Sequence, residues 1–333
     1  MKRSLTVTLV AALLALAPGG EAQAPQKLVF ALNWFAVGDH AAYWVALDRG
    51  YYKARGLDVE LQNSKGSGDS IAKVDTGRAD LGLADAVVVI PRVAQGAKIK
   101  IVGAVFDNTP LNIWTRKDTG ITTPKDLEGK TLAAPPGDSQ RQLFPAFARV
   151  NGFDAGKVKW LTIEPAAKFV ALAEKRVDAV PDYTTGQPFW EKAVGKDNLV
   201  RMPWHQYGFD TYSMSIMASE KTINERTKVL RDFLAASYLG WRDVMDNPKA
   251  ALEIFKKRVP DIDLTLIEPN MMLGLELMRT ERYAKNGIGW MDRGKMCGTV
   301  EFINTYMPDM PRKVGCDEVF TNEFLTRVEP PRR

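Results

Sequence analysis

Residues 28–61 read LVFALNWFAVGDHAAYWVALDRGYYKARGLDVEL, and this stretch decides the fold. The run Leu28–Leu32 predicts a strand that leads into Trp34. Residues Ala41–Arg49 predict a helix, and Leu57–Leu61 predict a second strand. A strand that delivers an indole to a loop before a helix is typical of the start of a ligand cleft in an α/β protein.

Strand and helix patterns continue to alternate after this stretch. Ala79–Leu83 and Lys98–Phe106 read as strands on either side of a helical run, Val87–Gln95. A second unit of roughly 100 residues starts with the strand pattern Leu111–Arg116, and after Asp210 the pattern changes to long amphipathic helices. This order predicts α/β architecture with mainly parallel, doubly wound sheets.

The second unit reads as an insertion into the first, which predicts two lobes. We expect the first lobe to comprise residues 25–108 and 213–333, and the second lobe to comprise residues 109–212. The chain would then cross between the lobes twice, near Phe106–Leu111 and near Tyr207–Ser213. Two crossings make a hinge, and a ligand can bind between lobes that move about it.

The start of the chain predicts export. A short cationic segment, Met1–Arg3, precedes the apolar run Leu5–Pro18 and an A-x-A-like cleavage motif. That run has about 14 residues, whereas roughly 20 are needed to span a bilayer. We therefore expect a signal peptide over residues 1–24, cleaved after Ala22 or Ala24, and a mature protein in the periplasm.

Composition excludes some functions and indicates one cross-link. The 333 residues carry 45 Lys and Arg and 40 Asp and Glu, interspersed without long runs of like charge, so nucleic-acid binding is unsupported. The two cysteines, Cys297 and Cys316, are expected to form a disulfide in an oxidising compartment, and two free thiols are the alternative. Closing a loop of about 20 residues would stabilise the fold by roughly 3 kcal/mol.

Several short motifs resemble one family. Within residues 28–61 these are L-N-W, H-A-A-Y and G-Y-Y-K-x-x-G-L-D-V-E, followed by GRADLGLADA at 77–86, KDLEGKTLA at 125–133 and VDAV at 177–180. They resemble the periplasmic solute-binding proteins of ABC importers over roughly residues 27–260. The most similar branch binds thiamine pyrimidine precursors, with sulfonate, nitrate and riboflavin binders as relatives. The resemblance implies a type II periplasmic binding protein fold.

An enzymatic branch of the same superfamily is also similar. Fungal-type pyrimidine synthases carry a lysine for pyridoxal phosphate directly after the Gly-Leu of the third strand, and a histidine four residues later. The corresponding residues here are Ala84 and Val88, and the synthases' cysteine cluster is missing. A Schiff base requires an amine, so we expect no enzyme activity, no cofactor and no metal. A pyrimidine-forming enzyme is kept as a remote alternative.

The first candidate ligand residues follow the first strand. Trp34 would stack on a flat ring, which is worth about 0.5–1.5 kcal/mol beyond burial. Asn33 would hydrogen-bond ring nitrogens or an amino group, and His40 would donate one hydrogen bond. Tyr43 follows His40 by three residues, so the two are expected to share a helix face. Core packing or strand termination is the alternative role for these residues.

Two glycine-containing loops, 64–70 and 136–140, precede predicted helices. Free amides at such ends attract anions, but each loop carries an aspartate near the capping position that would repel a free anion. Helix capping alone is the alternative role for each aspartate. The candidate ligand residues in these loops and at further strand ends are Ser67, Gly68, Asp85, Gly137, Asp138, Ser139 and Asp182.

Tyr183 and Tyr207 complete the candidate site from the second lobe and the hinge. Several carboxylates beside aromatic rings favour a neutral or cationic nitrogenous aromatic ligand, and a sulfonate, nitrate or other small anion is the alternative. The resemblance implies delivery to an ABC permease driven by a cytoplasmic ATPase. We expect the protein itself to be a monomer.

Overall fold

The computed structural model describes residues 24–331, which fold around two five-stranded sheets. The predicted signal peptide lies outside the described residues, apart from Ala24. The strands are β1 (Gln26–Ala31), β2 (Leu57–Gln62), β3 (Leu81–Asp85), β4 (Ile99–Ala104), β5 (Leu111–Arg116), β6 (Thr131–Ala133), β7 (Lys159–Leu161), β8 (Ala179–Tyr183), β9 (Leu199–Pro203) and β10 (Met214–Ser219).

Helices cover the faces of both sheets and form the C-terminal part of the chain. They are α1 (Ala41–Asp48), α2 (Ser67–Asp75), α3 (Ala86–Ala94), α4 (Ser139–Asn151), α5 (Ala167–Ala173), α6 (Gln187–Val194), α7 (Glu220–Glu225), α8 (Thr227–Asp246), α9 (Pro248–Arg258), α10 (Leu264–Met278), α11 (Glu281–Asn286), α12 (Arg293–Tyr306) and α13 (Cys316–Val319).

Each sheet is parallel except for one strand. The first sheet has the order β2-β1-β3-β10-β4, in which β10 runs antiparallel to both neighbours. The second has the order β7-β6-β8-β5-β9, in which β5 is the antiparallel strand. The predicted α/β architecture with two lobes is confirmed.

The chain passes between the sheets twice. The first passage lies between Ala104 and Leu111, and the second lies between Pro203 and Met214. The predicted lobe boundaries at 108/109 and 212/213 fall within these two segments, and the boundaries themselves remain a prediction.

The core of the first lobe explains why the opening stretch folds as it does. Phe30 on β1 packs against Tyr43 on α1 and Phe233 on α8, with ring centroids 4.8 Å apart in each pair. Tyr52, in the turn before β2, stacks on Phe233 and hydrogen-bonds Ser237 at 2.8 Å. The long helix α8 thus covers the apolar face of the strand–helix–strand unit and removes it from water.

The C-terminal helices hold both passages of the chain. Arg282 on α11 pairs at 2.7 Å with Asp107, whose side chain is fully buried in the first passage. On the second passage, Tyr212 accepts a hydrogen bond at 2.8 Å from the backbone N–H of Asp292, directly before α12. Both passages are therefore packed against α11 and the segment that leads into α12.

A disulfide joins Cys297 on α12 to Cys316 at the start of α13, with Cα atoms 5.1 Å apart. It closes the loop between these two helices. Among residues 24–331, no helix has the length and apolar character needed to cross a membrane.

Candidate ligand-binding site

A cavity lies between the two lobes, where the carboxyl ends of the parallel strands of both sheets meet. The space between its walls, with the open solvent at its mouth included, is about 580 Å³. Aromatic rings and carboxylates from both lobes line it. The rings are Trp34, Phe35, Phe169, Tyr183 and Phe189, and the carboxylates are Asp39, Asp138 and Asp182.

Most of the predicted ligand residues line this cavity, and five do not. Those at the cavity are Asn33, Trp34, His40, Ser67, Asp138, Ser139, Asp182 and Tyr183. The lining does not include Tyr43, Gly68, Asp85, Gly137 and Tyr207.

Tyr43 and Tyr207 lie away from the cavity. His40 ends a short 3₁₀ turn and α1 begins only at Ala41, so the helical spacing that was to place Tyr43 beside His40 does not apply. Tyr43 is instead fully buried behind the sheet against Phe30. Tyr207 lies in the turn after β9, where its carbonyl accepts a hydrogen bond from Asn151 at 3.3 Å.

Gly68 and Gly137 join the lobes to each other. The N–H of Gly68 donates to the carbonyl of Gly137 at 3.0 Å, across the gap between the lobes. A Cβ atom added at Gly66 would lie 2.1 Å from the carbonyl oxygen of Gly137. The two glycine-containing loops, which were expected to present amides to a ligand, therefore bind one another through a close backbone approach.

Asp85 is a buried hydrogen-bond acceptor that positions a cavity residue. Its carboxylate accepts from the Tyr183 hydroxyl at 2.8 Å, from Ser67 Oγ at 3.3 Å, and from Ser213. Burial raises the pKa of Asp85, and these donors oppose the rise. Asp85 belongs to the first lobe and Tyr183 to the second, so this bond also ties the lobes together. Asp85 therefore positions Tyr183, which lines the cavity, and does not line the cavity itself.

His40 is held as a neutral imidazole. Burial lowers its pKa from 6.5 to about 3. Nδ1 faces the N–H of Val37 at 3.4 Å and Nε2 lies 2.9 Å from Asn33 Oδ1, which assigns the proton to Nε2. Both ring nitrogens are thus engaged by the protein. The expected hydrogen bond from His40 to a ligand is replaced by one that orients the Asn33 amide, whose Nδ2 lies 3.3 Å from the Tyr183 hydroxyl.

The buried imidazole predicts an acid-sensitive contribution to stability. A histidine with a lowered pKa favours the folded state above pH 6.5, and that contribution is lost as the pH falls toward 3. The loss amounts to about 1.4 kcal/mol per pH unit, or about 2 kcal/mol between pH 7 and pH 5. We expect His40→Gln to lack this loss while retaining a donor for Asn33.

Urea unfolding of the wild type and His40→Gln at pH 7 and pH 5 measures the effect. The free energies of unfolding are compared as a difference between the two proteins, because Asp39 titrates in the opposite sense over part of this range. A difference that does not change between the two pH values would show that His40 is protonated normally.

Lys168 contacts two residues that line the cavity, Asp138 and Trp34, and the sequence did not reveal it. It lies on α5 with only 1% of its surface exposed. Its Nζ is 3.2 Å from Asp138 Oδ2 and 2.5 Å from the carbonyl oxygen of Pro181, and it lies 4.7 Å from the centre of the Trp34 ring. Because Trp34 belongs to the first lobe and Lys168 to the second, this cation–π contact also joins the lobes.

Three further polar residues come together at the opposite wall. Asp39 follows β1 and is buried, and its Oδ2 accepts a hydrogen bond from Thr185 Oγ1 at 2.7 Å. Asn270 on α10 donates from Nδ2 to the carbonyl of Thr185 at 2.9 Å. Of these three residues, only Asp39 lies in the loop between the first predicted strand and the first predicted helix. Thr185 and Asn270 reach the site through packing of α6 and α10.

Comparisons with known proteins place the chain in a family. The family described as NMT1/THI5 like matches residues 37–251. A riboflavin-binding protein, RibY, from Chloroflexus aurantiacus is 25% identical, over 96% of this chain and 92% of its own. A formylaminopyrimidine-binding protein from Halalkalibacterium halodurans is 24% identical, over 86% of this chain and 88% of its own.

Pyrimidine phosphate synthases match a smaller part of the chain. The 4-amino-5-hydroxymethyl-2-methylpyrimidine phosphate synthase of Schizosaccharomyces pombe is 28% identical over 32% of this chain and 31% of its own.

Among solved structures, the periplasmic aliphatic sulphonate binding protein SsuA of Escherichia coli covers 90% of this chain and 99% of its own, with a TM-score of 0.65 and 15% identity. The chain belongs to the NMT1/THI5-like family and has the two-lobed fold of periplasmic binding proteins.

Proposed function

We propose that this protein is the extracytoplasmic binding protein of an ABC importer, which captures a small nitrogenous aromatic ligand between its lobes and delivers it to a permease. The observation that carries the proposal is the cavity itself. It lies between two lobes joined by two chain passages, and both lobes contribute aromatic rings and carboxylates to its walls.

The aromatic walls support a flat ring as the ligand. Trp34 is half-buried at the end of β1, while Phe169 and Phe189 approach from α5 and α6 with ring centroids 5.9 Å apart. Apolar rings around a few directed polar groups are typical of sites that bind small molecules. Stacking on such rings stabilises a bound planar ligand in addition to the burial of its surface.

The charges support a ligand with N–H donors over an anion. Asp39, Asp138 and Asp182 line the cavity, whereas the nearby cation, Lys168, is already engaged by Asp138 and the Pro181 carbonyl. Burial raises the pKa of Asp182, because it disfavours the charged carboxylate. A ligand that donates hydrogen bonds or carries positive charge would stabilise that carboxylate. A sulfonate or nitrate would place its charge beside these carboxyl groups, and Lys168 would not be free to pair with it.

The names of the relatives that match most of this chain support the same ligand class. Formylaminopyrimidine and riboflavin both contain a planar nitrogenous ring, and the proteins named for them match this chain over most of its length. The sulphonate-binding protein is similar in fold. We therefore favour a pyrimidine of the thiamine-precursor kind and keep a small anion as the alternative.

We further propose that the protein does no covalent chemistry. Ala84 is fully buried on β3, paired with Ser215 of β10, at the position where the synthases carry their cofactor lysine. The buried amine of Lys168 is held by Asp138 and the Pro181 carbonyl. The predicted signal peptide supports a location in the periplasm, and the partners would be an ABC permease and its cytoplasmic ATPase.

Thermal melting with a ligand panel tests the proposal. The panel contains formylaminopyrimidine and related pyrimidines, riboflavin, taurine and nitrate, each added to the ligand-free protein. A ligand present at about 100 times its Kd stabilises the folded state by about 2.7 kcal/mol. We expect a raised melting temperature with a pyrimidine or flavin. A rise with taurine or nitrate, and none with the ring compounds, would favour the alternative.

A further inference from the structure

We propose that Gly66 and Gly137 form a closure stop, a contact of bare backbone that sets how far the two lobes close on a ligand. Gly66 directly precedes α2 of the first lobe, and Gly137 lies between β6 and α4 of the second. A side chain at either position would hold the lobes apart while leaving each lobe folded.

The side-chain positions of both glycines face the opposite lobe. A Cβ atom added at Gly66 would overlap the carbonyl group of Gly137. One added at Gly137 would lie 3.1 Å from the carbonyl oxygen of Lys65 and 3.2 Å from the backbone nitrogen of Asp69. These neighbours are backbone atoms, which cannot rotate away as the end of a flexible side chain can. Only glycine at both positions allows the lobes to approach this closely.

The backbone conformations of the two glycines differ, which separates closure from local strain. Gly66 has φ 124° and ψ 167°, a region that is essentially restricted to glycine. Gly137 is not among the glycines with positive φ, so a side chain there does not strain its own backbone. The three atoms nearest to a Cβ at Gly137 all belong to the first lobe. A substitution at Gly137 therefore acts on the contact between the lobes.

Hydrogen bonds beside the contact depend on the same close approach. The N–H of Gly68 donates to the Gly137 carbonyl at 3.0 Å, and Ser139 Oγ donates to Ser67 Oγ at 2.8 Å. Both serines line the cavity, and each lies within two residues of a glycine of the closure stop. The closure stop therefore positions the parts of the cavity wall that the two loops contribute.

An exposed ion pair at the edge of the contact offers a reporter of closure. Lys65, directly before Gly66, pairs at 2.8 Å with Glu164 of the second lobe, and the two side chains are 60% and 68% exposed. Such an exposed pair contributes little to stability. Cysteines can therefore replace both residues without disturbing the packed backbone contact, and their thiols come together only when the lobes meet.

Cross-linking of the double variant Lys65→Cys and Glu164→Cys with a short bis-maleimide tests the closure stop in the ligand-free protein. The two native cysteines are joined in a disulfide, so only the introduced thiols react. We expect bridging within one chain in this parent variant. Adding Gly137→Val is expected to slow bridging by roughly 5- to 150-fold, which corresponds to the usual cost of about 1–3 kcal/mol for forcing extra carbons into a packed contact.

Gly66→Ala obstructs the same contact from the other lobe and is also expected to slow bridging. Its matched control is Gly77→Ala, because Gly77 has φ 72° in the same lobe and an added Cβ there meets no atom within 4 Å among the described residues. Gly298→Val is the control for Gly137→Val, since a Cβ on this exposed position of α12 likewise meets none of them. Both controls should bridge at the parent rate.

Bridging at the parent rate in either Gly137→Val or Gly66→Ala would overturn the proposal, as would an equal slowing in the controls or no bridging in the parent. Urea unfolding verifies that each variant is folded, and Gly137→Ala provides a smaller step if Gly137→Val is not. The closure stop rests on the proposed function only in requiring lobes that close. Because no ligand is added, its failure is distinct from a failure of the ligand assignment.

Discussion

Replacing Trp34 with alanine is expected to abolish tight ligand binding while leaving the protein folded. Trp34 is only half-buried and is not among the core residues of either lobe. Its ring lies at the cavity with Lys168 Nζ 4.7 Å from its centre. Losing both the buried surface and the stacking would cost about 2–4 kcal/mol, or roughly 30- to 700-fold in affinity.

Calorimetric titration with the ring compound that gives the largest melting shift measures this loss. Trp290→Ala is the matched control, because Trp290 is 38% exposed and does not line the cavity. That variant should bind as the wild type does. If Trp34→Ala retains the wild-type affinity, Trp34 does not stack on the ligand and the assignment of the aromatic wall is wrong.

Lys168→Met is expected to destabilise the protein by about 3–5 kcal/mol, because it leaves a buried carboxylate without its cation. The side chains of Lys168 and Asp138 are 1% and 4% exposed, respectively. The methionine occupies a similar volume, so the effect reports the lost charge pairing more than a cavity. Asp138 also caps α4 by accepting from the N–H of Arg141 at 3.1 Å.

Two further variants distinguish the loss of the Lys168–Asp138 ion pair from a general effect of removing a lysine. Adding Asp138→Asn to Lys168→Met removes the unpaired charge while an amide oxygen can still cap α4, so most of the lost stability should return. Lys192→Met breaks an exposed pair with Asp263 and should cost less than about 1 kcal/mol. Equal losses for Lys168→Met and Lys192→Met in urea unfolding would contradict this account.

The strand and helix pattern of the lobes was largely predictable from the periodicity of apolar residues in the sequence. Leu111–Arg116 reads as a strand and is one, and the helix predicted over Ala41–Arg49 ends one residue earlier. The strand β10 was missed within a region expected to be helical. All but the last of its residues are buried, so its short apolar run shows none of the alternation that identifies a half-exposed strand.

The site was predictable where strands end and unpredictable where helices pack. Asn33, Trp34 and Tyr183 follow from the rule that ligands bind beyond the carboxyl ends of parallel strands. Lys168 stands in a helical sequence where a lysine normally faces solvent, and it is buried among Asp138 and Pro181 of its own lobe and Trp34 of the other. Asn270 likewise reaches the cavity because α10 packs across the hinge.

Calorimetric titration of the purified protein with a pyrimidine of the thiamine-precursor kind, beside taurine and nitrate, tests the central claim most directly. We expect saturable binding of one ring compound per chain and no heat of binding from either anion. Saturable binding of taurine or nitrate, with none for the ring compounds, would contradict it.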